Sequence, residues 1–395
     1  MLSRLKFEIR PLVEEILDQL PESVWTSQTT TFLDPAMAGG QFVAAIEARL
    51  RKYGHSDKNI SGRVFGCEEH QRSVNYAIRK HGLVGEYWAS DFLEDEYDMK
   101  FDVVVGNPPY QNRSDNSDGA LWLQIINAAS RVLTESGLLL FITPTSWVGK
   151  VTKTKKANFD IFTQNQVVYY KQLTIFEKKK YFAGIGSNFG IFLINTNASG
   201  PTSIITESKN VVNLTLVTGQ SLPNRLTDEA MSIHIKLSEV EKFIVESNYK
   251  MHSQVLRKKG IVSDKKTNKF KHKTYFSHNL VRYSSEKQDI YSDGRVMLPI
   301  VGTLSNAWYG ANCNSTEDVK LIFVNNKTEG ENLVSVIKSK LFSYIGTQYR
   351  SGRNIGLALN FLPKVDLSRS WTDEELYDHF GLTQEERDYI EENVK

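Results

Sequence analysis

Two cysteines, Cys67 and Cys313, are all that this chain of 395 residues contains. So few thiols, so far apart, argue against a disulfide framework and a cysteine-type zinc site, and they suit a reducing compartment. None of the eight histidines joins them in a metal-ligating pattern, so no metal is expected. Long hydrophobic runs are also missing, and nothing approaches the roughly 20 uncharged residues of a membrane span. The opening MLSRLKFEIRPLVEEILDQL carries acids inside its apolar pattern, unlike a signal peptide. A cytoplasmic protein without a membrane partner is expected. Charge of one sign is lacking too. The formal net charge is +2, so a polyanionic partner has to be sought in local charge.

What is present is enough apolar residue, 40%, for a sizeable core, and enough length for two domains. Leu12, Val13, Ile16, Leu17 and Leu20 have helical spacing over residues 11–20. Strands and helices then alternate. TTFLDPA ends a first strand, residues 41–53 are helical, GRVFGCE is a second strand and EHQRSVNYAIRKH a second helix. EYWASD and FDVVVGNPPY add two strands, and LWLQIINAASRVLTESG predicts a helix ending at Gly137. LLLFITPTSW, VVYYKQLTIF and NFGIFLINT complete the series. Such alternation predicts a mostly parallel α/β sheet, with ligands outside the carboxyl ends of its strands. Beyond about residue 200 the alternation stops, and residues 200–220 show few strand or helix signals. Two domains are expected, 1–215 and 216–395, the second of mixed α+β character. Thr372 and Thr383, each with Glu three residues on, predict two capped helices at the end.

Four strand ends carry the chemistry. FLDPAMAGGQF stops on Asp34 and places Gly39 and Gly40 before a helix. It is neither a Gly-x-Gly-x-x-Gly turn nor a phosphate-gripping loop, and a carboxylate there suits a cationic amino group. Glu68, at the second strand end, suits ribose hydroxyls. Asp91 and Phe92, at the third, suit an adenine amine and ring. Each acid alone is better explained by a solvated loop; three in succession outline a site for an adenosine-like ligand with an amino-acid head.

The fourth strand runs into Asn107-Pro108-Pro109-Tyr110. Two prolines fix φ and remove two backbone donors, which leaves the nearby carbonyls free to accept. Asn107 adds a side-chain acceptor, and two acceptors hold both hydrogens of one amine. Tyr110 offers a flat face to a planar substrate. The tetrapeptide is a clamp for a planar amine or amide nitrogen.

DPAMAGGQF followed by NPPY resembles the S-adenosylmethionine-dependent amino-methyltransferases of the γ arrangement, with catalytic domain first and target-recognition domain second. The resemblance runs from about residue 30 to 196. It implies a Rossmann-like methyltransferase domain over 1–215 and a DNA-binding domain over 216–395. It implies that Asp34, Ala36 and Gly39 lie near the methionine moiety, Glu68 on the ribose, Asp91 and Phe92 around the adenine, and Asn107 beside the cofactor. Asn107, Pro108, Pro109 and Tyr110 become catalytic, with Tyr110 and Phe182, in KKKYFAGIGSNFGIFLIN, stacking on a flipped base. LLLFITPTSWV resembles the strand-plus-Pro-x-x-Trp signature of DNA adenine methylases. The chain departs from the pattern in having Ala38-Gly39-Gly40 instead of Gly-x-Gly, and Arg10-Pro11 near the place of a Thr-Pro-type pair.

The expected reaction is transfer of a methyl group from S-adenosylmethionine to the N6 amine of adenine in double-stranded DNA, in a restriction–modification setting that includes a possible cognate endonuclease. N4-cytosine methylation, and methylation of RNA or of protein glutamine, remain alternatives. DNA is favoured by the Pro-x-x-Trp and Phe182 series and by the length beyond the catalytic domain, which holds the basic run 257–273 and the aromatics Trp308, Tyr309, Tyr344 and Tyr349. Lys258, Lys259, Lys265, Lys266, Arg350 and Arg353 are the candidate DNA contacts.

Overall fold

The computed structural model describes residues 10–95, 97–110, 120–148, 161–162, 165–216, 221–247, 256, 259–350 and 353–394. The chain divides into two compact units, Met1–Gln220 and Ser221–Lys395.

Short apolar runs bounded by polar loops form the sheet of the first unit. Its strands are β1 (Phe32–Asp34), β2 (Val64–Glu68), β3 (Glu86–Ala89), β4 (Phe101–Gly106), β5 (Leu133–Pro144), β6 (Gln166–Gln172), β7 (Phe189–Asn195), β8 (Thr202–Ile205) and β9 (Val211–Leu214). Their spatial order is β3-β2-β1-β4-β5-β7-β6-β8-β9. The first five run parallel, with Asp34 opposite Gly66 and Gly106 opposite Phe141. β7 is antiparallel to both β5 and β6. The strand order reverses between β1 and β4, which is where an open α/β sheet leaves a crevice. This is a Rossmann-like α/β fold.

Helices cover the sheet because their apolar residues recur on one face. Gln41–Lys52 buries Phe42, Val43, Ile46 and Leu50. Leu121–Arg131 buries Leu121, Trp122, Leu123, Ile125, Ile126 and Ala129. Arg10–Leu17 adds Leu12, Val13, Ile16 and Leu17 to the core that also holds Val103, Val105 and Leu140. Glu47 is fully buried. One carboxylate oxygen accepts from the amides of Val84 and Gly85 and the hydroxyl of Tyr87 at 2.7–2.9 Å, and the other accepts from Arg51. It pins the start of β3 to that helix.

Two expectations are corrected. The helix predicted to reach Gly137 ends at Arg131, and β5 begins at Leu133. Leu133 pairs with Phe101, and Thr134–Ser136 are looped out before the register resumes at Val103 and Leu138. The polar stretch after residue 200 holds β8 and β9, which widen the sheet. Four residues are too few for alternation to stand out, although Thr202 and Ile204 do point inward.

The second unit is mixed α+β. One four-stranded sheet centres on Arg295–Pro299 and Val319–Phe323, and a second four-stranded sheet, of shorter strands, contains His272–Tyr275 and Val281–Ser284. Helices Asp228–Ser238, Lys327–Lys338 and Lys340–Gln348 close a separate core. Both terminal capping boxes form, at Thr372 and at Thr383. Among the described residues, no helix is long and apolar enough to cross a membrane.

Candidate active site

Parallel pairing of β1, β2 and β4 aligns their carboxyl ends, so Asp34, Glu68 and Asn107 emerge along one edge. Asp34 is 2% exposed. Its Oδ1 accepts from the Ala36 amide at 3.1 Å. Burial pushes its carboxyl up to about 7, the Ala36 amide opposes this, and the nearby Glu68 charge adds to it. The approach of Asp34 to β4 depends on Gly106. A Cβ there would stand 2.8 Å from Asp34 Oδ1.

The loop after Asp34 folds back on the next strand. Met37 donates its amide to Cys67 O at 2.9 Å, and the Ala38 amide donates to Glu68 Oε2 at 3.0 Å. Ala38 and Gly40 both have positive φ, 46° and 77°. Gly40 is the glycine the fold requires, because a Cβ on it would meet Ala77 at 2.8 Å. That close approach is to a helix. Gly39 has no comparable constraint, since only the flexible Gln41 side chain lies near.

A cleft of about 280 Å³ opens on this edge. Ala36, Glu68, Asp91, Phe92, Asn107 and Pro109 line it. Asp34, Gly39, Pro108, Tyr110 and Phe182 do not border it. Asp91 Oδ1 accepts from the Leu93 amide at 3.1 Å, which fixes the turn that carries Phe92. Phe92 is 5% exposed and leans on Tyr97, with centroids 5.1 Å apart. Ser90, Leu93 and Ile125 also border the cleft, and no sequence motif marks them. Ser90 and Leu93 flank the Asp-Phe pair, and Ile125 carries no signal beyond its helical spacing.

Asn107 is exposed, Pro108 buried, Pro109 exposed and Tyr110 half-buried. The Tyr110 hydroxyl donates to Asn107 Oδ1. Burial pushes the Tyr110 phenol far above its ordinary range, and the Asn107 bond opposes this. The Tyr110 ring lies 4.9 Å from Phe189 and 6.2 Å from Phe182, tilted 58° to the latter. Phe182 lies face to face with Phe189 at 4.2 Å and is 9% exposed. Phe189, the first residue of β7, therefore completes an aromatic trio that the sequence did not single out. Trp147, of the Pro-x-x-Trp segment, is a core residue. It stacks on Phe162 at 4.2 Å and meets Tyr170 and Phe192 edge-on.

The cationic candidates sit in two regions of the second unit. Lys259, Lys265 and Lys266 flank the sheet of shorter strands and are exposed. Arg350 and Arg353 are exposed beyond helix Lys340–Gln348. Lys258 lies outside the described residues. Tyr344 and Tyr349 are 1% and 2% exposed and belong to the core, which corrects their expected place among nucleic-acid contacts. Tyr344 is buried by its helix, and Tyr349, which caps that helix, packs on Phe361 at 4.3 Å and bonds to His234.

Comparison with known proteins adds to this geometry. Residues 43–182 match the family model described as Eco57I restriction-modification methylase. A curated relative, "Type II methyltransferase M.CvrRI" of Paramecium bursaria Chlorella virus XZ-6E, is 24% identical over 197 residues. That alignment takes in 47% of this chain and 48% of the relative, so the chain spans about half the length of the curated relative it matches. Among solved structures, a putative class I S-adenosylmethionine-dependent methyltransferase of Listeria monocytogenes is 16% identical, with TM-score 0.39, over 50% of this chain and 62% of that one. A type I restriction-modification methyltransferase subunit of Streptococcus thermophilus is 14% identical, with TM-score 0.38, over 60% and 52%. The matched family segment holds Glu68, Asp91 and the Asn-Pro-Pro-Tyr corner and ends on Phe182, whereas Asp34 and its loop precede it.

Proposed function

We propose that this chain is a DNA methyltransferase that uses S-adenosylmethionine to methylate the N6 amine of an adenine flipped out of duplex DNA, in a restriction–modification setting. In this reading residues 1–215 hold the cofactor and catalyse, and residues 216–395 recognise the target. The observation that carries the reading is that Asn107 and Pro109 border the same cleft as Glu68, Asp91 and Phe92. A clamp for an amine and a set of acids for an adenosine-like ligand face one space.

The residues present fit the cofactor. Asp34 is a buried carboxyl that a cationic amino group would stabilise in its charged form. Glu68 would accept from ribose hydroxyls, and Asp91 and Phe92 would hold the adenine. When bound, the cofactor supplies an electrophilic methyl on a sulfonium. Asn107 Oδ1 and the Pro108 carbonyl accept the two hydrogens of the target amine. They would hold both hydrogens away from the lone pair and would stabilise positive charge on nitrogen. The incoming amine takes the place of the Tyr110 hydroxyl on Asn107 Oδ1. Tyr110 and Phe182 stack on the extruded base, which has to separate rings now tilted against each other. Lys259, Lys265, Lys266, Arg350 and Arg353 neutralise phosphates or reach base edges.

The test is transfer of tritiated methyl from S-adenosylmethionine to mixed genomic DNA, with bulk RNA and protein extract in parallel, followed by nucleoside mass spectrometry. N6-methyladenine in DNA is the expected product. N4-methylcytosine would change the base and keep the mechanism, and label confined to RNA or protein would overturn the DNA assignment.

A further inference from the structure

Phe176 is 82% exposed, and its neighbour Ile175 is 56% exposed. Single exposed apolar residues are ordinary, but these two open one short helix, Ile175–Tyr181, that buries nothing of its own. Ile185, in the loop that follows, is 41% exposed. Glu177, Lys178, Lys179, Lys180 and Tyr181 make up the rest of the helix. An apolar tip backed by three successive cations has the chemistry of a surface that enters a polyanion.

The helix is rigidly founded. Thr174 and Glu177 form a reciprocal cap at its start. Glu177 also accepts from Lys171 at 2.7 Å, and Lys171 pairs in turn with Glu15. Lys171 itself is 9% exposed, so the base of the helix is tied into the sheet.

Its place follows from topology. β5 and β6 are each antiparallel to β7, so β6 ends on the same edge as β1, β2 and β4. The helix leaves that end of β6 and delivers Phe182 to the aromatic trio beside Tyr110. Six residues of helical rise put Phe176 about 9 Å along the axis from Phe182.

We propose that Phe176 is a wedge that enters the base stack of duplex DNA and fills the place of the extruded base, with Lys178, Lys179 and Lys180 on the flanking phosphates. The proposal rests on the DNA reading given above. Apolar side chains inserted between base steps offset the cost of unstacking, and filling the gap slows return of the flipped base.

The experiment uses the full chain and a duplex containing its methylation site, mapped by modification-sensitive sequencing of the methylated genomic DNA, with 2-aminopurine at the target for fluorescence and adenine for turnover. Each duplex is made with the target paired and with it mismatched. Phe176→Ala should lower turnover and the fluorescence rise on the paired duplex, on the order of tenfold, because the unfilled gap makes flipping costly. On the mismatched duplex, where flipping is cheap, the loss should shrink to about twofold or less. Phe176→Trp should restore the paired duplex, with S-adenosylmethionine affinity unchanged throughout. Wild-type turnover by Phe176→Ala on the paired duplex, or an equal loss on both duplexes, would overturn the wedge while the methyltransferase reading stands. A wild-type enzyme that methylates no DNA would overturn both.

Discussion

The two units use charge in opposite ways. In the first, the acids that matter stand at strand ends, where backbone amides hold them. Ala36 binds Asp34, Ala38 binds Glu68 and Leu93 binds Asp91. In the second, the charged group at the centre is a cation held by carbonyls. Arg295 is fully buried and donates to the carbonyls of Ile290 and Asp293 at 2.7 and 2.8 Å, and to that of Cys313. The exposed cations of that unit, such as Lys265 and Lys266, lie on a turn. The candidate site in the first unit is tied to sheet register, so the displacement of one strand would disperse it. In the second unit, the candidate DNA-contacting lysines sit on loops, and the buried Arg295 serves the fold.

The sharpest break of this comparison is Asn107→Ala. Methyl transfer should fall by at least about a hundredfold, because the acceptor for the developing charge is gone. Calorimetry should find S-adenosylmethionine binding largely intact. Turnover near the wild-type level would remove the clamp.

Arg295→Ala is the counterpart in the second unit. It strips the buried Cys313 carbonyl and the part-buried carbonyls of Ile290 and Asp293 of their donor and should destabilise that unit by about 3 kcal/mol or more. Urea unfolding with a fluorescence reading from each unit should show the loss there, with S-adenosylmethionine binding retained by the first unit. A uniform loss of both signals would show that the units do not behave separately.

The pH dependence should also differ in sign. Burial holds the Asp34 carboxyl up at about 7, against an ordinary value of 3.8. The folded first unit therefore retains a proton that the unfolded chain releases, and its stability should fall as pH rises from about 4 to 7. Burial pushes His234 down to about 4, with Lys242 adding to the shift. Its ring packs on Phe361, and Nδ1 meets the Tyr349 hydroxyl at 2.8 Å. The second unit should therefore lose stability as pH falls from about 6.5 to 4. Asp34→Asn should flatten the first slope and His234→Gln the second, as read by the urea midpoint against pH. Slopes of the same sign would contradict the assignment.

The smallest effect should come from Lys265→Ala with Lys266→Ala. DNA affinity should weaken modestly across all sequences, and the slope of log affinity against log salt should fall by about 2. Cofactor affinity should not move. A change confined to one DNA sequence would make these lysines base readers instead.

The edge of the first sheet was legible because a buried strand announces its own end. Where Leu33 gives way to Asp34, or Val105 and Gly106 to Asn107, the apolar run stops and the next side chain must emerge at the sheet edge. The short strands β8 and β9 were not legible, since four residues with Thr and Ser among them resemble a loop until a neighbour pairs with them. Nor was the end of helix Leu121–Arg131, because Leu133 suits either state and pairing with Phe101 decides it. The same limit applied to aromatics. Tyr344, Tyr349 and Trp147 have the composition of a binding surface and lie in the core, while Phe176, equally apolar, is exposed.

The amino-acid sequence by itself determined the α/β alternation, the acids at successive strand ends and the Asn-Pro-Pro-Tyr corner, all of which follow from local periodicity and backbone chemistry. The tertiary structure alone decided which aromatic rings meet one another, which glycine must be a glycine, and which cations are buried. Those depend on what a distant segment places opposite each residue, and no local pattern encodes that.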